Sequence, residues 1–166
     1  MDYKKIIKSR SLRIKILNLL RFIPDKFMIK LQYYIKLKRK LNLSTPRRFT
    51  EKIQWYKLNY RSPVFKQCVD KYLVRDYVKL KGLDHTLNTL YGVYSSYKDI
   101  MIDELPNRFV IKSTNGGGGI NVILCDDKEK LDYHALEETV KSWLKPKGIS
   151  GGREWAYYDL KPKIII

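Results

Sequence analysis

Apolar residues recur at helical spacing in two stretches near the start of the chain, and Pro24 separates them. The first stretch places five apolar residues on one face: Leu12, Ile16, Leu19, Leu20 and Ile23. The second runs from about Lys26 to Leu41, with Asp25 in position to cap it. Its apolar stripe consists of Phe27, Met28, Leu31, Tyr34 and Ile35. The pattern therefore predicts two amphipathic helices whose other faces are rich in lysine and arginine.

Helical patterns continue as far as Gly82, a residue type that often follows the end of a helix. A short helix is predicted from Thr50 through Leu58. Ser62 and Pro63 start a longer one, because serine is a good N-cap and proline suits the first helical position. We expect that longer helix to continue without a break to the residues before Gly82.

The rest of the chain alternates short β-type segments with turns. The segments are Leu90 to Tyr94, Phe109 to Lys112, Ile120 to Cys125 and Lys163 to Ile166. A helix capped by Asp132 is predicted from Tyr133 to about Leu144. Helices first and a β-rich portion later indicate α+β or α/β, and we predict an α+β fold.

Charge divides the chain near residue 48. The 166 residues carry 34 Lys+Arg against 17 Asp+Glu, a formal net charge of +17, and 44% hydrophobic residues exclude a disordered basic tail. Residues 1–48 contribute +13 of that charge and residues 49–166 only +4. We therefore predict a basic amphipathic helical segment over 1–48 and a globular domain over 49–166.

The basic segment has two open interpretations. Its apolar stripes and lysines suit an anionic membrane surface, where each Lys or Arg adds about 1 kcal/mol. Alternatively, the stripes pack on the domain and the lysines are solvated. Arg21 interrupts the apolar run, which argues against both a spanning helix and a signal peptide. Nucleic acid is disfavoured, because Tyr33 and Tyr34 among lysines are accompanied by no RNP-like, zinc-finger or helix-turn-helix pattern.

No catalytic or metal-ligating set is predicted. Cys68 and Cys125 form no CxxC pair, which is typical of reduced thiols in a cytosolic protein. His85 and His134 stand alone, without zinc spacing. Arg153-Glu154 lies in a glycine loop and either contacts substrate or forms a structural ion pair.

The most informative stretch follows Lys112 and ends in four consecutive glycines: Gly116, Gly117, Gly118 and Gly119, here called the glycine run. It lies between two β-type segments, so we predict a hairpin tip rather than a linker. Glycines let backbone N–H groups turn toward one anion, and Lys112 supplies a positive charge. No Gly-Lys-Ser/Thr ending follows and the run opens a strand, which excludes a P-loop and a Rossmann turn. The pattern predicts a site for nucleotide phosphates.

Several short stretches occur in a specific order from about residue 20 onward. They include Leu41-Asn42-Leu43, Glu51-Lys52-Ile53-Gln54-Trp55, Asp70-Lys71-Tyr72 with Val74-Arg75, Gly92-Val93-Tyr94, Phe109-Val110-Ile111-Lys112 and Gly152-Arg153-Glu154-Trp155. Together they resemble the TupA-like branch of the ATP-grasp superfamily, found in bacterial capsule, teichuronopeptide and surface-polysaccharide gene clusters. Related members are often labelled glycosyltransferases.

The resemblance implies an ATP-dependent ligase at the cytoplasmic face of the membrane, in which a carboxylate attacks the γ-phosphate and an amine captures the acyl-phosphate. The acceptor would be linked to a polysaccharide. Lys112 and the glycine run match the strand lysine and mobile hairpin that cover ATP in such enzymes, and Arg75 occupies the place of a second cation. The family hairpin often carries His and Ser, where Asn115 and Gly117 stand here.

The family pattern also continues beyond a strand like Lys163 to Ile166, with an acidic residue, an adenine hinge and carboxylates for Mg²⁺. We therefore expect basic N-terminal helices followed by the first part of an ATP-grasp fold, with its C-terminal half missing. Such a truncated member would have half an ATP site and no metal site, bind ATP weakly and turn over nothing; Mg²⁺ is expected only in the full-length fold. Its last strand would leave an exposed apolar edge.

Overall fold

The computed structural model describes residues 9–117, 119–145 and 151–166. These residues divide into two compact units. Unit 1 consists of 9–62 and 151–158, and unit 2 of 63–145 and 159–166 without residue 118. Within the described ranges, no helix combines the length and the apolar character needed to cross a bilayer.

Unit 1 contains the helices α1 (Arg10–Leu19), α2 (Asp25–Leu37) and α3 (Phe49–Asn59). The helix α2 ends earlier than the predicted Leu41, because Lys38 adopts a left-handed backbone conformation with φ of 54°. Its buried face carries Met28, Ile29 and Tyr33, whereas most of the predicted apolar stripe is exposed. Tyr33 and Ile29 form a small core with Leu41.

The start of α3 is fixed by Glu51, which is only 1% exposed. Its carboxylate accepts the backbone N–H groups of Arg47 and Arg48 at 3.1 and 3.0 Å. The Arg48 guanidinium donates to the other carboxylate oxygen at 2.9 Å. The backbone hydrogen bond from Arg48 is the main cause that lowers the pKa of Glu51. A single carboxylate thus satisfies the N–H group of the residue that caps α3, Arg48, and that of the residue before it.

Unit 2 is built on an antiparallel sheet of β1 (Val93–Tyr94), β2 (Phe109–Ser113), β3 (Val122–Cys125) and β4 (Ile164–Ile165), in the order β1-β4-β2-β3. The expectation that the last strand leaves an exposed apolar edge is wrong. Strand β4 lies between β1 and β2, and Ile164 and Ile166 are 0% and 6% exposed.

The helices of unit 2 are α4 (Pro63–Val69), α5 (Leu73–Leu80) and α6 (Tyr133–Leu144). The single helix predicted from Pro63 is in fact broken between α4 and α5. The buried Asp70 causes the break, because its carboxylate accepts the backbone N–H groups of Tyr72 and Leu73 at 2.8 and 3.0 Å. It therefore caps α5 and lets the chain change direction.

One face of the sheet packs on α6. Ile111 of β2, Val140 of α6 and Ile164 of β4 are completely buried and form the centre of the core of unit 2. Helices with a small antiparallel sheet confirm the predicted α+β class.

Candidate functional site

The glycine run joins β2 to β3. The two strands pair antiparallel from Phe109 opposite Cys125 to Lys112 opposite Val122, so the run forms the loop of a hairpin. Gly118 lies outside the described residues. The position of Lys112 at the last pair before the loop follows directly from this register.

The base of the loop is anchored by hydrogen bonds. Ser113 and Thr114 are 0% and 1% exposed. Thr114 and Lys163 bind each other twice: the Thr114 N–H donates to the Lys163 carbonyl at 2.8 Å, and the Lys163 N–H donates to Thr114 Oγ1 at 3.2 Å. The Ser113 N–H donates to the Asn121 carbonyl at 3.1 Å. The stem of the hairpin is therefore rigid and attached to the segment before β4.

The three described glycines of the run have different roles. The Gly116 N–H donates to the Ser113 carbonyl at 3.2 Å, and a Cβ on Gly116 would lie 3.0 Å from the Ile120 carbonyl oxygen. Gly116 is therefore required by the close approach of the backbone. Gly117 and Gly119 face open space, and Gly119 has a positive φ of 72°. In the described part of the chain the N–H groups of Gly117 and Gly119 have no hydrogen-bond partner.

Lys112 lies on the face of β2 opposite to the core. Burial alternates along the strand, so that Ile111 and Ser113 point inward and Lys112 is only half-buried on the other face. Its ammonium group has neither a hydrogen bond nor an ion pair with any described residue. The positive charge predicted for this position is therefore available to a ligand.

A second lysine reaches the glycine run, and the sequence analysis assigned it no role. Lys71 lies in the break between α4 and α5, and its backbone N–H donates to the Thr114 carbonyl at 2.9 Å. Its side-chain ammonium donates to the carbonyl oxygen of Gly116. The sequence carried a signal for the break, because an aspartate often begins a new helix, but none for the contact of Lys71 with Gly116.

Arg75 has a different neighbour. It lies on α5, and its guanidinium donates to the Asn88 carbonyl at 2.8 Å. Among the described residues no hydrogen bond joins Arg75 to the glycine run. Its predicted place at the phosphates stays a prediction.

Asn121 supplies an unpaired donor at the other end of the loop. Its backbone is left-handed, with φ of 61°, a conformation that asparagine tolerates well. Its side-chain nitrogen Nδ2 is buried and has no partner in the described part of the chain. A buried unpaired donor costs free energy unless a ligand or water completes it.

Arg153 and its surroundings are structural. Arg153 is 2% exposed and its guanidinium donates to the Leu20 and Ile23 carbonyls at 2.7 and 2.8 Å and to Asp25 at 3.1 Å. Tyr158 donates to the same carboxylate at 3.2 Å. Of the two alternatives, the structural ion pair therefore describes Arg153, with Asp25 as its partner.

In the described ranges no three side chains of the kinds His, Cys, Asp and Glu come together.

A family model described as TupA-like ATPgrasp matches residues 51–166, which is more than half of the chain and includes Lys71, Lys112 and the glycine run. No curated protein and no solved structure matches the chain.

Proposed function

Because the chain belongs to the TupA-like ATP-grasp family, we propose that unit 2 binds the phosphates of ATP at the glycine run, using Lys112 and Lys71. One observation carries this proposal: the Lys71 ammonium lies on the Gly116 carbonyl, at the loop that Lys112 precedes. Two positively charged side chains therefore lie at one glycine-rich hairpin. A phosphate oxygen is a stronger acceptor than a peptide carbonyl, so Lys71 can exchange Gly116 for the nucleotide.

Three further features fit a phosphate group. The Lys112 ammonium is unpaired in the described part of the chain, Gly117 and Gly119 are open to close approach, and the buried Asn121 Nδ2 lacks an acceptor. Phosphate oxygens would accept from all of these donors.

The reaction that we infer is an ATP-dependent ligation of a carboxylate to an amine on a polysaccharide-linked acceptor. Bound ATP would transfer its γ-phosphoryl group to the carboxylate and leave as ADP, and the amine would then displace inorganic phosphate from the acyl-phosphate. Lys112 and Lys71 would neutralise the charge that develops on the transferred phosphoryl oxygens. Gly117 and Gly119, which have no side chains, would leave room for the phosphates next to the backbone. Family membership and the paired lysines support this assignment.

Titration of the full chain with ATP tests the proposal. We expect Lys112→Ala to weaken binding by about tenfold or more, because a charge-assisted contact is lost. Lys79→Ala is the matched control, since Lys79 is an exposed lysine of α5 with no contact to the loop. ATP binding that is absent, or that survives Lys112→Ala unchanged, would contradict the proposal.

We also propose that unit 1 contacts an anionic membrane surface. Several large apolar side chains of this unit project into solvent, above all Phe22 and Phe49 at 81% and 77% exposure, followed by Leu19 at 74% and Phe27 at 64%. No acidic residue lies between Asp25 and Glu51, so the surrounding charge is positive. Apolar side chains that project among lysines favour the headgroup region of anionic lipids.

A further inference from the structure

A cleft of about 600 Å³ opens on unit 1, and none of its lining residues belongs to the glycine run or to the lysines assigned to ATP. Its walls come from α2, from the segment that follows α2 and from α3. Three lysines line it: Lys26, Lys30 and Lys40. The volume lies in the range of small-molecule sites.

The cleft is positively charged without compensation. Lys26 and Lys30 are one helical turn apart on α2, so their side chains extend from the same face. Residues 26–50 contain no Asp or Glu, and none of the three ammonium groups is paired with an acid in the described part of the chain. Neighbouring ammonium groups repel one another, and an anion in the cleft would relieve that repulsion.

The floor and one wall of the cleft are fixed before any ligand arrives. Leu41 is 8% exposed and packs with Ile29 in the core of unit 1. The Asn42 side chain accepts the backbone N–H groups of Ser44 and Thr45, both at 3.0 Å. A rigid wall lowers the entropic cost of binding, which distinguishes a site from a loose basic surface.

A smaller cleft of about 340 Å³ continues the first one. The two clefts share Ser44 and Trp55, and the smaller one adds Lys52 and Tyr56. The Trp55 and Tyr56 rings lie 5.6 Å apart, edge to face, and their side chains are 38% and 55% exposed. The clefts therefore adjoin at Ser44 and Trp55, with three lysines lining the larger cleft and Lys52 lining the smaller one.

We propose that this surface binds an anionic saccharide, that is, a chain of sugar units that carry carboxylate or phosphate groups. The C–H face of a sugar ring packs on the negative face of an aromatic ring such as that of Trp55. The lysines bind the acidic groups, and two joined clefts fit several sugar units in a row. A bilayer fits less well, because it needs projecting apolar side chains, and the most exposed ones of unit 1, Phe22, Phe49 and Leu19, do not line the clefts.

The site does not depend on ATP, so its test is separate from that of the nucleotide proposal. The probe is trigalacturonate, a carboxylated trisaccharide, titrated into the full chain at low salt; maltotriose is the uncharged comparison. We expect trigalacturonate to bind, maltotriose to bind at least about tenfold more weakly, and the difference to shrink as salt is added.

Variants locate the binding. The double variant Lys26→Gln with Lys30→Gln should weaken trigalacturonate binding by about tenfold or more. Lys36→Gln with Lys79→Gln removes the same charge from positions that do not line the clefts, and should leave binding within about twofold. Trp55→Leu should weaken the binding of trigalacturonate but leave the binding of inorganic phosphate unchanged. Far-ultraviolet circular dichroism verifies that each variant is folded.

Three results would overturn the proposal. The first is no trigalacturonate binding, or equal losses in both double variants. The second is displacement of trigalacturonate by ATP, which would make the cleft a nucleotide site. The third is that phosphatidylglycerol vesicles bind through Lys26 and Lys30 and trigalacturonate does not, which would assign the lysines to the membrane.

Discussion

The side-chain ammonium of Lys71 donates to the carbonyl oxygen of Gly116, a residue 45 positions further along the chain. The backbone N–H of Lys71 adds a second bond to the same loop, at the Thr114 carbonyl. A lysine held twice against a glycine-rich hairpin controls where the loop lies. If nucleotide draws the ammonium away, the loop gains freedom at the same step, so binding and loop motion are coupled.

Lys71 should matter more than Arg75 for nucleotide binding. Lys71→Gln removes a cation at the glycine run, and we expect it to weaken ATP binding by about tenfold. Arg75→Gln removes a cation that binds Asn88, and should change affinity by no more than about twofold. Calorimetric titration of both variants makes the comparison. A larger effect at Arg75 would support the role that the family resemblance implies for it.

Gly116 should be the least replaceable of the described loop glycines. Gly116→Ala places a methyl group 3.0 Å from the Ile120 carbonyl oxygen and should lower the free energy of unfolding by about 2 kcal/mol. Gly117→Ala is the matched control, because nothing lies within 4 Å of its added Cβ. Urea denaturation measures both. Equal losses at the two positions would show that the close approach at Gly116 is not the cause.

Arg153 should stabilise unit 1 strongly. Arg153→Met removes one charged donor from the Asp25 carboxylate and from two carbonyls, and we expect the free energy of unfolding to fall by about 3 kcal/mol. Replacing the exposed Lys36 by Met serves as a control for the loss of one charge. Thermal unfolding followed by circular dichroism measures the difference. A stability within error of the control would contradict the structural role.

Tyr158 should give the protein an alkaline limit of stability. Burial, then the neighbouring Asp25 carboxylate, raises the pKa of Tyr158 from the ordinary 10.0 to about 12. A raised pKa stabilises the folded state fully below the unfolded value, and that contribution is lost as the pH rises from 10 to about 12. Tyr158→Phe should therefore show a weaker loss over that window in urea denaturation. An identical pH dependence in the variant would exclude Tyr158 as the source.

Glu51 should give the opposite pH dependence at the acid end. Its pKa is lowered, chiefly by the backbone hydrogen bond from Arg48. The stabilisation is therefore present above the unfolded pKa and is lost as the pH falls through the folded pKa. Glu51→Gln should be less stable than the parent at neutral pH and should converge with it in acid. Parallel stability curves for the two proteins would contradict this.

Membrane contact predicts an effect of the projecting aromatic residues. Phe22→Ser with Phe27→Ser should reduce cosedimentation with phosphatidylglycerol vesicles, because both side chains are well exposed and can enter the headgroup region. Phosphatidylcholine vesicles should bind little, since the charge attraction is absent. Leu80→Ser is the control, an equally exposed apolar residue of unit 2. Unchanged sedimentation of the double variant would remove the membrane proposal.

Features that depend on neighbouring residues could be predicted from the sequence. The hairpin that carries the glycine run, the position of Lys112 and the helix from Tyr133 to Leu144 follow from local patterns. The family resemblance, which rests on ordered short stretches, is confirmed by the match over residues 51–166.

Features that depend on distant pairing could not be predicted. The break at Asp70 is local and was missed for another reason, because helical spacing continues through Asp70 and favours a single helix. The contact of Lys71 with Gly116 joins residues far apart in sequence. The place of β4 within the sheet depends on which strands it pairs with, and local composition carries no information on strand order.

Strand β4 lies between β1 and β2 in the sheet but follows both in the sequence, so the sheet can be completed only after β4 has been synthesised. A ribosome releases β1, β2 and β3 well before β4, and the hairpin of β2 and β3 can form as soon as it emerges. Until β4 follows, β1 has no neighbour and one edge of β2 stays unpaired. A nascent chain at that stage exposes an apolar strand edge, which other chains can pair with. The rate of translation and the presence of chaperones would therefore affect the fraction of chains that fold rather than aggregate.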